Sequence, residues 1–205
     1  MASRVGAFGL SLLMAAASGS VAFAGASSYR ELVTKAKQCD LSIDFRALRL
    51  ACLKDDACDP RGDSDQTLSM KRAMQSKEYE KAAKTAEALI DAGFVNIEAQ
   101  AVCSQADEAL GNAEKARFHH AVAASLIHSI LSSGDGKTKA TAFEVIGTFE
   151  EHIVLSVLGL PPFGSQALLS GKPHSYDLIE VEDPKTHGKV SVYFNIDAFF
   201  PMKGL

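Results

Sequence analysis

The spacing of apolar residues changes period along the chain. From Tyr29 to Leu131 they recur every three or four positions, which predicts helices. Tyr29–Gln38 carries Leu32, Val33 and Ala36 on one side. Ile43–Leu53 carries Phe45, Leu48, Leu50 and Ala51, and Asp59-Pro60-Arg61-Gly62 breaks the pattern. Four longer helical segments follow: Gln66–Ser76, Tyr79–Ala92 with Gly93 as C-cap, Ile97–Leu110 between Asn96 and Gly111, and Ala113–Leu131 opened by Asn112. Ala142–Gly147 is rich in β-formers and reads as a short strand. Thr148-Phe149-Glu150-Glu151 has the form of a capping box, with Thr148 capping the Glu151 amide and Glu151 reaching back, and starts a helix to about Leu158. The period then becomes two. Val190, Val192, Phe194 and Ile196 take one face of a strand, and Ser191, Tyr193, Asn195 and Asp197 the other. Tyr176–Glu182 supplies its partner across hairpin material at Asp183–Gly188.

The helical part echoes itself. Glu80-Lys81-Ala82 returns 34 residues later as Glu114-Lys115-Ala116, Gln66 returns as Gln100, and Lys77 aligns with the loop glycine Gly111. A 34-residue period in helical material is the tetratricopeptide period. The frames 63–96 and 97–130 therefore predict two hairpins, although the usual terminal proline is missing from both. The expected fold class is α+β: tetratricopeptide-like helical hairpins followed by a small, mainly antiparallel β-sheet.

Residues 1–24 have the form of a secretion signal. Arg4 is basic, Val5–Ala17 is almost free of polar side chains, and Ala22-Phe23-Ala24 is an A-x-A cleavage site. Removing the first 24 of 205 residues leaves 181, enough for one domain with a sizeable core. That single domain is expected to span 25–205, with a helical body over about 29–131 and a strand-helix-hairpin part over about 140–198. The expected location is periplasmic or secreted. No later stretch is apolar enough to span a bilayer. The formal charge is −4, or −5 without Arg4, with no basic stripe to neutralise phosphates, which argues against nucleic acid. The four cysteines, in an exported chain, predict two disulfides: Cys52–Cys58 closing a tight polar loop, and Cys39–Cys103.

Candidate chemistry is sparse. Gly-Lys-Thr at 136–138 lacks the earlier glycine of a phosphate loop, so Asp135-Gly136 reads as a turn. His120 and His128 stand eight apart, too far for one metal ion, and His120 occupies a repeat position that packs. No serine, zinc-protease or cysteine nucleophile motif appears, so no catalytic residue, metal or cofactor is assigned. The best ligand-binding candidates are Tyr193, Asn195 and Asp197 on one strand face, with Asp135 and Lys137 of the preceding turn beside them.

The runs Asp44-Phe45-Arg46-Ala47-Leu48-Arg49-Leu50, Ser133-Gly134-Asp135-Gly136-Lys137, Thr141-Ala142-Phe143 and Tyr193-Phe194-Asn195-Ile196-Asp197, in this order, resemble an exported bacterial family known as domain of unknown function 4919. The resemblance covers roughly residue 40 to the C-terminus. It implies export and a helical body ending in strands, and no established activity. Where that family would have an aromatic this chain has Cys52, which implies that the cysteines belong to this branch. The expected function is an exported binding or assembly module for a protein or peptide partner. The alternatives are a cell-envelope hydrolase using Asp197 with Glu150 or Glu151, and a structural or inhibitor protein.

Overall fold

The computed structural model describes residues 27–161, 164–171 and 173–200. The expected signal and cleavage site lie outside the described residues. Seven helices and four strands follow one another: α1 (Tyr29–Lys37), α2 (Phe45–Cys52), α3 (Ser64–Gln75), α4 (Tyr79–Ala92), α5 (Ile97–Ala109), α6 (Ala113–Leu131), β1 (Phe143–Glu144), α7 (Thr148–Val157), β2 (Ser165–Leu169), β3 (Tyr176–Glu182) and β4 (Lys189–Asn195). The fold class is α+β. No helix among the described residues is long and apolar enough to cross a membrane.

Helices α3 to α6 pack each on the next, and the first helices of the two hairpins, α3 and α5, also touch. The 34-residue echo is written into the turns. Lys77 and Gly111 both take positive φ, 59° and 80°. The residues after them, Glu78 and Asn112, have φ/ψ of −81°/66° and −82°/59°. Their amides donate to Ala73 O and Asp107 O, both at 2.8 Å. Ala73, Ala82, Ala83 and Ala106 form a small cluster where α3, α4 and α5 approach closely. At the eighth repeat position, buried Met70 in one copy is replaced by Ser104, whose Oγ donates to Ala116 O at 3.0 Å. A left-handed residue other than glycine costs about 1–2 kcal/mol, partly offset by the larger chain entropy a glycine loses on folding. Lys77→Gly should therefore raise the unfolding free energy by about 0.5–1 kcal/mol in urea titration. No gain would mean that the Lys77 turn carries no strain.

The sheet order is β1-β4-β3-β2. β4 runs antiparallel to β3, with Ile179 opposite Val192 and Asp177 opposite Phe194. β1 pairs β4 in parallel through Phe143 and Glu144, and β2 adds an exposed antiparallel edge that the sequence pattern did not reveal. Ile179, Val181, Val192, Phe194 and Ile196 face the helices and join one core with Leu48, Met70, Leu126 and Ile130. α6 is the link, packing on α2, α5, α7 and β1.

Several local expectations are corrected. Cys52 and Cys58 are bonded, but Cys39 is exposed and Cys103 is buried, and the two are free. Cys103 sits between helices with its thiol toward Ala83 O at 3.8 Å, and burial pushes that thiol up to about 12. Gly93 is the C-cap of α4 as expected, in an extended conformation with φ −153°. Asn112 stands at the start of α6, but its side chain donates to Asp107 Oδ1 at 2.9 Å instead of capping. The capping box at Thr148 does not form. Gly147 is the N-cap and Glu151 turns into the core. The packed histidine of α6 is His119, 2.8 Å from Gln100 Oε1, whereas His120 is exposed.

Candidate functional site

An open apolar groove of about 700 Å³ is walled by α3, α5, α6 and α7. Leu68 enters it from α3, Ile97 and Ala101 from α5, Ile127 from α6, and Phe149 and Ile153 from α7. Leu68 is 46% exposed and borders the same groove as these buried and half-buried neighbours. Polar groups ring the apolar floor. Lys71 and Glu98 pair at 2.9 Å across α3 and α5, and Ser64, Thr67, His152 and Ser156 complete the rim. The apolar floor with polar rim is the usual make-up of a binding cleft.

One end of the groove is the loop Asp59–Gly62, and its placement is over-determined. Asp59 Oδ1 accepts the amides of Arg61 and Gly62 at 3.1 and 2.9 Å. Asp59 N donates to Ala92 O at 2.8 Å. Asn96 caps α5 through the Ala99 amide and donates its Nδ2 to Arg61 O at 3.1 Å. The Cys52–Cys58 disulfide closes the chain immediately before this loop. At the other end, the ring of Phe149 lies against the backbone of Gly147, where a Cβ would stand 2.3 Å from it.

The five residues singled out from sequence gather at the junction of helical body and sheet, away from this groove. Tyr193 N donates to Gly136 O at 2.8 Å, so the turn flanks β4. Within the turn, Asp135 accepts the Lys137 amide at 3.1 Å and pairs with its Nζ at 3.3 Å. Bonds from the Thr141 hydroxyl and the Lys137 amide hold the Asp135 carboxyl below the usual aspartate value. Asn195 Oδ1 accepts the Asp197 amide at 3.0 Å. Asp197 takes His174 Nδ1 at 2.5 Å and the Ser175 amide at 2.8 Å, fastening the start of β3. Asp135, Lys137, Asn195 and Asp197 are thus occupied with local framework contacts.

The carboxylates considered for hydrolysis go separate ways. Glu150 is wholly buried and held by Arg49 at 2.6 and 2.8 Å. Glu151 is also wholly buried and feels the charge of Asp177 on β3. No hydrogen bond among the described residues joins Asp197 to either glutamate, and none of the three lines the groove. Among the described residues no cluster of three or more His, Cys, Asp and Glu could hold a metal ion.

Comparison with known proteins places residues 51–203 in the family described as Domain of unknown function (DUF4919). The chain belongs to this family. No curated protein and no solved structure matches it. The DUF4919 segment starts inside α2 and contains every residue that lines the groove, as well as Glu151 and Asp177. A second cavity of about 600 Å³ lies between α6 and the start of α2, but its wall at Leu41–Arg46 precedes that segment. The groove is built wholly from the DUF4919 part.

Sequence reading missed both the groove and the carboxyl pair. Leu68 carries no signal of its own, because a lone exposed leucine on a helix is common. The pair did leave a trace. Asp177 lies two residues before Ile179, and so on the core face of its strand. Glu151 lies three and four residues before buried Val154 and Leu155.

Proposed function

We propose that this protein is an exported binding or assembly module whose groove takes an apolar segment of a protein or peptide partner. The observation that carries this reading is the exposed Leu68 among Ile97, Ile127, Phe149 and Ile153 in one open groove with a polar rim. The repeated turns at Lys77 and Gly111 support a tetratricopeptide-like origin for the hairpins, and such repeats serve as binding surfaces. The Cys52–Cys58 disulfide supports an oxidising compartment, periplasmic or extracellular. The hydrolase reading would need acidic groups converging in a pocket, and the candidates for it are buried or bound elsewhere. An inhibitor would use the same groove, and the identity of the partner separates it from an assembly factor.

A photo-crosslinking residue placed at Leu68 in the exporting cell should give a discrete adduct. The same residue at Glu80, exposed on α4 outside the groove, should give none. Ile153→Asp should cut the Leu68 adduct at least about tenfold, equivalent to 1.4 kcal/mol of binding. It should leave the melting temperature nearly unchanged, because Ile153 is only half-buried. Equal labelling at both positions, or an adduct indifferent to Ile153→Asp, would refute the groove.

A further inference from the structure

Helix α7 has two faces with different duties. Phe149, His152, Ile153 and Ser156 face the groove at helical spacing. Glu151, Val154 and Leu155 are buried on the other face. The sheet beneath presents Ser175, Asp177, Ile179 and Val181 along the inward side of β3, the first two polar.

Glu151 and Asp177 thus bring two carboxyl groups together in a place closed to water. Asp177 is 6% exposed and accepts Gln166 Nε2 at 2.8 Å through one oxygen. Both carboxyl oxygens of Glu151 are buried without a hydrogen-bond donor. The hydroxyl of neighbouring Ser175 is also buried and unpartnered. Glu150 on α7 is neutralised by Arg49 of α2, and Asp197 beyond Ser175 is paired with His174 near the surface. Two ionised carboxylates side by side in such a site repel and lack solvation, while one proton converts either group into the missing donor.

We propose that Glu151 keeps its proton and donates it to Asp177, that this contact latches α7 onto the sheet, and that loss of the proton in alkaline medium releases the α7 wall of the groove. Burial first, and then the neighbouring Asp177 carboxyl, push the Glu151 carboxyl up to about 8. The folded protein therefore holds a proton that the unfolded chain, with an ordinary glutamate near 4.5, has released. The stabilisation is complete below the unfolded value. It falls as pH rises toward about 8 and is gone above it. The consequence for binding rests on the groove reading. The latch does not, so the two can fail separately.

Hydrogen–deuterium exchange of the exported protein from about pH 6 to about pH 10, corrected for intrinsic exchange, tests the latch. Protection of α7 should fall about tenfold or more between about pH 6 and about 8 and level off above that, with α4 and α5 unchanged. Glu151→Gln, whose amide donates to Asp177 without titrating, should keep α7 protected at every pH. Asp177→Asn, which removes the like charge, should move the transition to lower pH. At neutral pH the wild type should show the infrared carbonyl band of a protonated carboxyl that Glu151→Gln lacks. Protection of α7 that ignores pH, a transition that survives Glu151→Gln, or a neutral-pH spectrum without that band would each overturn the proposal. So would restoration of the latch at high pH by calcium, which would make the pair a cation site.

Discussion

Arg49→Met should lower the unfolding free energy by about 3–5 kcal/mol, the cost of stranding a buried charge whose partner has gone. Arg49 is 1% exposed, yet it lies in the middle of a helix whose other buried residues are Phe45, Leu48 and Cys52. Its guanidinium meets Glu150 through Nε and one terminal nitrogen, reaches Ser129 Oγ on α6 at 3.2 Å, and donates to Glu144 O on β1 at 2.8 Å. Glu150 also accepts the Ile146 amide at 2.9 Å. One ion pair therefore joins α2, α6, β1 and α7. The single substitution leaves a carboxylate with no cation in a site that excludes water. The double variant Arg49→Met with Glu150→Gln removes both charges and keeps an acceptor for Ile146. It should recover most of the loss, because a buried pair replaced as a unit is often close to neutral. Urea titration at neutral pH measures both. A loss under about 1 kcal/mol for the single variant would show that water reaches Glu150 after all.

The contrast between Arg49 and Leu68 explains how much of this protein could be read from its sequence. The 3.6-residue period in Tyr79–Ala92 and Ala113–Leu131 gave helices whose ends match those observed, and the alternation in Lys189–Asp197 gave a strand that ends two residues earlier, at Asn195, because each buries a continuous apolar stripe. Asn96 was legible as a cap for the same local reason. The edge strand Ser165–Leu169 was not legible, since it is exposed on both faces and has no alternation to read. Glu151 misled because a glutamate three residues after a threonine satisfies the capping-box pattern, while its side chain is buried with Val154 and Leu155 on the inner face of α7. The disulfides divide in the same way. Cys52 and Cys58 are brought together by a six-residue separation, whereas Cys39 and Cys103 depend on how α1 and α5 sit, which no local pattern states. Of the site, the turn at Gly136 against Tyr193 could be foreseen from chain direction. The groove could not, because its walls come from four helices.

Gly93→Ala should cost about 1–3 kcal/mol and also impair capture in the groove, although Gly93 lines no part of it. The glycine ends α4 in an extended conformation open to any residue, so the penalty is not one of backbone angles. It is one of space. A Cβ there would stand 2.0 Å from Asp59 O and 2.6 Å from Asp59 C, both backbone atoms that no rotamer change can withdraw. The loop would have to retreat by more than an ångström, breaking Asp59 N to Ala92 O and pulling Arg61 O from Asn96. The Cys52–Cys58 bond restrains that retreat at the loop's other end. Gly111→Ala is the control. Nothing lies within 4 Å of a Cβ at that position, so the variant pays only for its φ of 80°, about 1–2 kcal/mol, and leaves the groove intact. Urea titration and the Leu68 crosslink measured on both variants separate the two causes. Gly93 should lose stability and adduct together, and Gly111 stability alone. If Gly93→Ala keeps the full adduct, the loop Asp59–Gly62 does not shape the groove, and the binding surface ends at α3 and α5.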